Sequence, residues 1–214
     1  MKHALLSLAL VIVGVIPTMS SASAHPHVWV TVHSEVIYGP GGIVKGIRHA
    51  WTFDDMFSAY AVQGLPHQKD GAITRKDLSS LAEVNVTSLK EFDYFTYARV
   101  DGIKAPFGDP IDYWMEFKDS LLTLHFMLPL KTAVTAKRLQ VEIYDPTIFV
   151  DFEPGKETPV SLVGAPQSCK LQIDVPHKPT MSEQLQLYQL DTTPLAPSSS
   201  FGEMFANKFV VSCP

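Results

Sequence analysis

Residues 27–53 read HVWVTVHSEVIYGPGGIVKGIRHAWTF, two alternating runs separated by a glycine-rich break. One face of the first run is apolar, with Val28, Val30, Val32 and Val36. The second run has Ile47, His49, Trp51 and Phe53 in phase. Alternation with a period of two is typical of a half-buried strand, and turn residues between two such runs indicate a hairpin. The stretch therefore predicts an antiparallel β-hairpin.

The apolar face predicts the pairing of the two strands. If Tyr38 pairs with Ile43, Val28 lies opposite Phe53 and Val32 lies opposite His49. A shift of one residue would turn the valines toward solvent, which a buried core opposes. A shift of two residues would keep them inside.

The same pairing predicts which histidines meet. His27 lies opposite Asp54, or diagonal to it after a two-residue shift, and His33 lies opposite Arg48 on a solvated face. His27 and His33 share that face, but six residues of strand separate them by about 20 Å. His49 points inward and is interpreted as a core histidine.

A helical period replaces the alternation at about residues 55–92. A short helix is expected near Met56 and a longer one over 76–92. Residues 66–77, between them, resemble the middle of an EF-hand loop, but the neutral residues Pro66 and Gln68 stand where Ca²⁺ binding needs carboxylates, so no calcium is expected. The block is predicted to be a helix–loop–helix of degenerate EF-hand shape.

Short strands are predicted after this block, at residues 94–100, 112–117, 121–128, 138–144, 159–163, 170–175 and 208–212. Residues 176–200 are rich in Pro and Ser and predict an exposed loop with a weak helical patch at 182–190. We expect an α+β fold, mainly antiparallel and sandwich-like, in a single domain covering residues 25–214.

The N-terminus is typical of an export signal. Lys2 precedes an apolar run at residues 4–16, and Ala22-Ser23-Ala24 is an A-x-A cleavage site. The run is too short for a transmembrane helix, which needs about 20 residues. We expect residues 1–24 to be a signal peptide for the Sec pathway and the mature chain to be periplasmic and not embedded in the membrane.

The net charge bears on the class of binding partner, and the two cysteines bear on the redox compartment. Without Lys2 the basic residues number 17 − 1 = 16 against 22 acidic ones, so the mature charge is −6. This balance argues against nucleic acid and against an anionic membrane surface. Cys169 and Cys213 predict one disulfide in an oxidising compartment. Thiolate ligation of a metal is the alternative, without the support of C-x-x-C spacing.

Cleavage after Ala24 would create a metal-binding terminus. The mature chain would begin at His25, whose free α-amine and imidazole form a two-nitrogen chelate. His25, His27 and Asp54 are the predicted ligands, with His125 as a fourth candidate. Zn, Ni and Co suit these ligands, and Cu fits as well. An exposed terminus that holds no ion is the simpler alternative.

Several motifs resemble one family of secreted bacterial proteins of unknown function. They are HPHVWV at 25–30, RHAWTFD at 48–54, LTLHF at 122–126 and YDPT at 144–147, together with Cys169 and the closing Cys213-Pro214. Members are described as periplasmic components of metal (nickel, cobalt or zinc) or ABC-type transport systems. The resemblance implies a nickel/cobalt-type membrane permease or an ABC-type transporter as partner, and it brings no catalytic residues.

The expected function is therefore that of a periplasmic accessory or substrate-binding component that captures a divalent metal for a permease. A copper oxidoreductase using a histidine brace is one alternative, and a metal-free adaptor of a permease is another. Because G-x-S-x-G and H-E-x-x-H motifs are absent from the sequence, an enzyme is not expected.

Overall fold

A computed structural model describes residues 26–66, 68, 72–177, 179–190 and 201–214. The predicted signal peptide at 1–24 and the predicted ligand His25 lie outside the described residues. So do Asp70 and Gly71 of the EF-hand-like loop and residues 191–200 of the predicted exposed loop.

The described residues form eleven strands and three α-helices. In chain order the strands are β1 (Val28–Gly39), β2 (Ile43–Phe53), β3 (Thr96–Val100), β4 (Ile103–Lys104), β5 (Ile111–Lys118), β6 (Leu121–Thr135), β7 (Arg138–Ile143), β8 (Val150–Pro154), β9 (Val160–Val163), β10 (Lys170–Asp174) and β11 (Asn207–Ser212). The helices are α1 (Asp55–Ala61), α2 (Ser79–Leu89) and α3 (Met181–Leu190). Single 3₁₀ turns lie at Pro40–Gly42, Lys90–Phe95 and Gly202–Phe205.

The strands form two sheets. The first has the order β5-β6-β2-β1-β8, with β9 also paired to β1, and the second has the order β10-β11-β7-β3-β4. Every pairing is antiparallel except those of β1 with β8 and with β9. The predicted α+β fold with mainly antiparallel strands is confirmed. Strand β8 and the two parallel pairings were not predicted.

One hydrophobic core joins the two sheets. The predicted valine face is buried, with Val30 1% and Val36 0% exposed. Trp51 of the first sheet contacts Phe152 at a ring distance of 4.9 Å, and Phe152 contacts Phe95 at 5.4 Å. The second sheet contributes Leu139, Val141, Ile143 and Phe209, and α2 contributes Leu78, Ala82 and Val86. The arrangement is sandwich-like, with α2 closing part of the core.

The predicted hairpin exists, but its predicted register is wrong by two residues. Val30 pairs with Phe53, and Val32 pairs with Trp51. Ser34, rather than Val32, lies opposite His49. Because the error is even, the valines still face the core, as the pattern required.

Two local features account for the shift. The turn closes at Gly39 and Ile43, one residue tighter than predicted, around the 3₁₀ turn. A bulge then leaves Lys45 without a partner between Tyr38–Val44 and Ile37–Gly46. Bulges insert one residue on one strand, and periodicity alone does not reveal them.

The longer helix of this block, predicted over 76–92, is shorter at both ends, because α2 spans Ser79–Leu89. Thr74 donates its N–H (2.9 Å) and its hydroxyl (2.5 Å) to the Asp77 carboxylate, and this closed turn delays the start of α2 to Ser79. The hydrogen bonds from Thr74 also lower the pKa of Asp77. After Leu89 the chain enters the 3₁₀ turn, where Asp93 and Tyr94 have positive φ. The absence of a tight calcium site stays a prediction.

The predicted disulfide is confirmed. Cys169 and Cys213 are bonded, 44 residues apart, at neighbouring ends of β10 and β11. Such bonds are typical of proteins in oxidising compartments. Within the described ranges, none of the helices combines the length and the apolar character needed to cross a bilayer.

Candidate functional site

His27 is anchored where the described chain enters β1. Its backbone N–H donates to the carbonyl oxygen of Phe149 at 2.9 Å, and the N–H of Val28 approaches the same oxygen at 3.3 Å. The His27 ring lies 4.6 Å from the Phe149 ring, tilted by 33°. Backbone and ring contacts therefore hold His27 in a defined position although its side chain is exposed.

The segment that carries Phe149 is organised by a buried carboxylate. Asp145, only 4% exposed, accepts hydrogen bonds from the N–H and hydroxyl of Thr147, both at 2.8 Å. Its other oxygen accepts from the N–H groups of Phe149 and Val150, both at 3.0 Å. A carboxylate with four such partners satisfies its own hydrogen-bonding needs and orders the turn that leads into β8.

Asp54 ends the other strand of the hairpin next to this terminus. One carboxylate oxygen accepts from the N–H of Trp29 at 2.9 Å, and the other caps α1 by accepting from Phe57 at 2.8 Å. Trp29, not His27, therefore lies opposite Asp54, which corrects the predicted pairing. His27 is the diagonal neighbour, at a typical separation of about 7–8 Å. That is within side-chain reach.

The donor types at this corner suit a transition metal. An ionised carboxylate has about four acceptor positions, so Asp54 keeps lone pairs beyond its two backbone partners. Imidazole and carboxylate are ordinary ligands of Zn²⁺ and its neighbours. Among the described residues no three His, Cys, Asp or Glu side chains are grouped closely enough to hold an ion, and His25 is not among those residues.

A second carboxylate lies beside Trp29. Asp151 pairs with Trp29 across the parallel β1–β8 contact. Burial, and then the charge of Glu153, raise the pKa of the Asp151 carboxyl. A cation bound at this corner would oppose that shift by favouring the ionised form.

His125 does not join this corner. It pairs with Ala50 on β2, four residues before Asp54, which corresponds to about 13 Å along the strand. Its ring stacks on Trp114, and its Nε2 lies 3.1 Å from a carboxylate oxygen of Glu116. The structure therefore separates the fourth candidate ligand from His27 and Asp54.

The other histidines of the hairpin have different environments. His49 is the predicted core histidine, fully buried, with Nδ1 3.0 Å from the Ser34 hydroxyl and Nε2 3.4 Å from the Thr96 hydroxyl. Burial lowers the pKa of His49 to about 3. His33 pairs with Ala50 and not with Arg48 as predicted.

Sequence reasoning missed the residues that hold His27. Phe149 and Asp145 belong to a segment without strand periodicity, and nothing local indicates that it lies beside the N-terminus. In the sequence, the YDPT motif at 144–147 indicates only the family resemblance. An aspartate two residues before a threonine is compatible with a turn in which the aspartate side chain accepts a hydrogen bond from the backbone two residues on. This is the one sign of the ordered turn that the sequence offers.

Comparison with known proteins supports the resemblance to a family of unknown function. An uncharacterized protein of Haemophilus influenzae is 24% identical over 194 residues, covering 89% of this chain and 91% of the relative. An uncharacterized 15.5 kDa protein in the trpE 3'region of Spirochaeta aurantia is 32% identical over 94 residues, or 44% of this chain and 67% of the relative. A family model described as protein of unknown function (DUF1007) matches residues 8–213. The chain therefore belongs to the DUF1007 family.

Proposed function

We propose that this protein is a periplasmic accessory that captures a divalent transition metal, Zn, Ni or Co, at its processed N-terminus. The ligands would be His25, through its amine and ring, together with His27 and Asp54. The observation that carries the proposal is the anchoring of His27 by the Phe149 carbonyl beside the Asp54 carboxylate. A terminus held in place loses less freedom on binding an ion than a free one would.

The anchoring also limits the number of protein ligands. His27 and Asp54 are committed to fixed backbone positions, so the third and fourth donor atoms would come from His25. These four donors would fill a tetrahedral zinc site, whereas an ion that takes more than four ligands would bind water or a second protein in addition.

The partner and compartment belong to the same proposal. A nickel/cobalt-type permease or an ABC-type transporter would receive the ion, as the resemblance noted from the sequence implies. The signal-like residues 1–24 and the disulfide support a periplasmic location.

The test is equilibrium binding of Zn²⁺ and Ni²⁺ to protein that the cell has exported and cleaved. One added alanine before His25 should weaken binding, because it moves the amine out of chelating position while every side chain remains. His27→Ala should weaken binding further. His33→Ala is the matched control, because it removes a histidine of the same face about 20 Å along the strand.

Acidification should release the ion, because each ligand must be deprotonated to bind. Equal affinity of the extended and native termini for both metals would contradict the proposed site. Peroxide formation with copper and a reductant would favour the oxidoreductase alternative instead.

A further inference from the structure

A stack of three side chains, Arg75, Trp114 and His125, lies on the outer face of the first sheet, away from the terminus. The Trp114 and His125 rings are parallel within 5°, with centroids 3.9 Å apart. The Arg75 guanidinium carbon lies 4.3 Å from the Trp114 centroid. Two groups this close cannot share one face of the indole, so Trp114 lies between Arg75 and His125. Glu116 holds His125 through its Nε2 at 3.1 Å.

The opposite face of the His125 ring borders a trough. His125 pairs with Ala50 on β2, and Ala50 pairs with His33 on β1. The alanine methyl fills little of the space above the strand. Among the described residues, Trp114 is the aromatic ring that contacts the His125 ring, and no second aromatic ring covers the other face of His125.

The trough has room for a flat ring. Adjacent strands lie about 4.8 Å apart, so the backbones that carry His33 and His125 are about 10 Å apart across Ala50. A flat ring between the two side chains needs two contact distances of about 3.5–4 Å, and this spacing provides them. The cavity has a volume of about 410 Å³, within the range of small-molecule pockets.

The imidazoles do not converge on an ion. Gly155 follows β8, on the side of β1 away from Ala50, and a Cβ at Gly155 would overlap the His33 ring. The His33 ring therefore leans away from Ala50, and the His125 ring stacks away from it on Trp114. Opposed rings form the walls of a slot and do not share a metal.

The rim of the trough is polar. The Arg48 guanidinium pairs with Glu35 at 2.6 Å at one end, and both side chains remain about half exposed. The remaining rim includes Glu157, Thr158 and Ser161. A purely apolar ring would cover these groups without replacing their hydrogen bonds to water, at a cost. A ring with polar edges could replace those hydrogen bonds and avoid this cost.

We propose that the trough above Ala50 binds a small molecule with a planar heteroaromatic ring, which stacks on His125 and hydrogen-bonds to the rim. The ligand would extend the existing stack of Arg75, Trp114 and His125 by one layer. Its binding does not depend on the N-terminal metal site, so His27→Ala should leave it unchanged.

The test is an NMR titration of the full mature protein that follows the ring protons of His125. Nicotinamide is the planar probe, and cyclohexanecarboxamide is the matched non-planar one. Nicotinamide should give saturable upfield shifts, and its saturated counterpart should not. Ala50→Leu fills the trough and should weaken binding about tenfold or more, as expected for the loss of a stacking contact. Ala59→Leu, on exposed α1, is the matched control.

A second variant keeps the test valid if Ala50→Leu fails to fold. His125→Gln keeps a hydrogen-bonding group near Glu116 but removes the stacking plane. It should also abolish nicotinamide binding, which is measured in this variant from the chemical shifts of the Trp114 indole. Equal binding of both probes, or binding unaffected by Ala50→Leu, would overturn the proposal. Shifts caused by the tripeptide Ala-Trp-Ala and not by nicotinamide would overturn it too, by indicating a protein partner.

Discussion

At the scale of single residues, His49 makes the stability of the fold depend on pH. Burial lowers its pKa from 6.5 to about 3, so between those values the unfolded chain binds a proton that the folded chain excludes. The free energy of unfolding therefore decreases as the pH falls through this window, by up to about 1.4 kcal/mol per pH unit. We expect His49 to contribute a loss of about 2 kcal/mol between pH 7 and pH 5.

Urea unfolding at pH 7, 6 and 5 measures this loss. His49→Gln should be less stable than the natural protein at pH 7, because it disturbs a fully buried site. Its stability should nevertheless depend less steeply on pH. Equal slopes for the two proteins would show that His49 is not the source.

Asp54 has a structural role that must be separated from metal binding. Asp54→Ala removes the cap of α1 and the partner of the Trp29 N–H. Loss of such a cap typically reduces the free energy of unfolding by about 1–2 kcal/mol. Asp54→Asn keeps the oxygen that caps α1 but turns an amide N–H toward the Trp29 N–H, so it should retain only part of the stability while weakening metal binding.

Asp55→Ala is the control for Asp54. Within the described part of the chain, its carboxylate accepts only from the adjacent Met56 N–H, and the residue is exposed. We expect a change within about 0.5 kcal/mol. Thermal unfolding and metal titration of the three variants provide the comparison. Equal loss of stability in Asp54→Asn and Asp54→Ala would contradict the capping role.

At the scale of elements, the bulge in β2 depends on Gly46. A Cβ there would overlap the Leu128 carbonyl oxygen and lie 2.7 Å from the Pro129 Cα. Because both atoms belong to the backbone of β6, β2 and β6 would have to separate. We expect Gly46→Ala to reduce the free energy of unfolding by about 3 kcal/mol.

Gly41 in the hairpin turn is the matched control. It has a φ of +73°, but no atom lies within 4 Å of its added Cβ. Gly41→Ala should therefore show only the conformational cost, about 1 kcal/mol. Urea unfolding of both variants measures the difference. If Gly41→Ala is as destabilising as Gly46→Ala, the close approach to β6 is not what requires glycine.

At the scale of the whole molecule, the disulfide ties the last strand to β10. It closes a loop with a sequence separation of 44, and in the chain-entropy model such a loop contributes about 4 kcal/mol. Reduction should therefore lower the unfolding temperature of the natural protein. The double variant Cys169→Ser with Cys213→Ser should unfold at the lower temperature with or without reductant. An unfolding temperature insensitive to reductant in the natural protein would refute this contribution.

The sequence by itself determined the features that arise within one segment. Alternating valines in β1 require one buried face whatever the pairing, so the hairpin and its core side were predictable. The same pattern placed His49 inside. The disulfide between Cys169 and Cys213 was predictable because two cysteines in an oxidising compartment usually form a disulfide.

Only the tertiary structure decided which segments meet. Gly46, next to the bulge, lies against the β6 backbone, and the bulge together with the tighter turn places Trp29 opposite Asp54. The contact of His27 with Phe149 joins residues 122 positions apart through a parallel pairing that no local period encodes. His125 was a candidate fourth ligand at the terminus, yet strand order sets it next to Trp114 and Ala50. Periodicity reports how one segment divides its faces between core and solvent, whereas a site depends on which strands become neighbours.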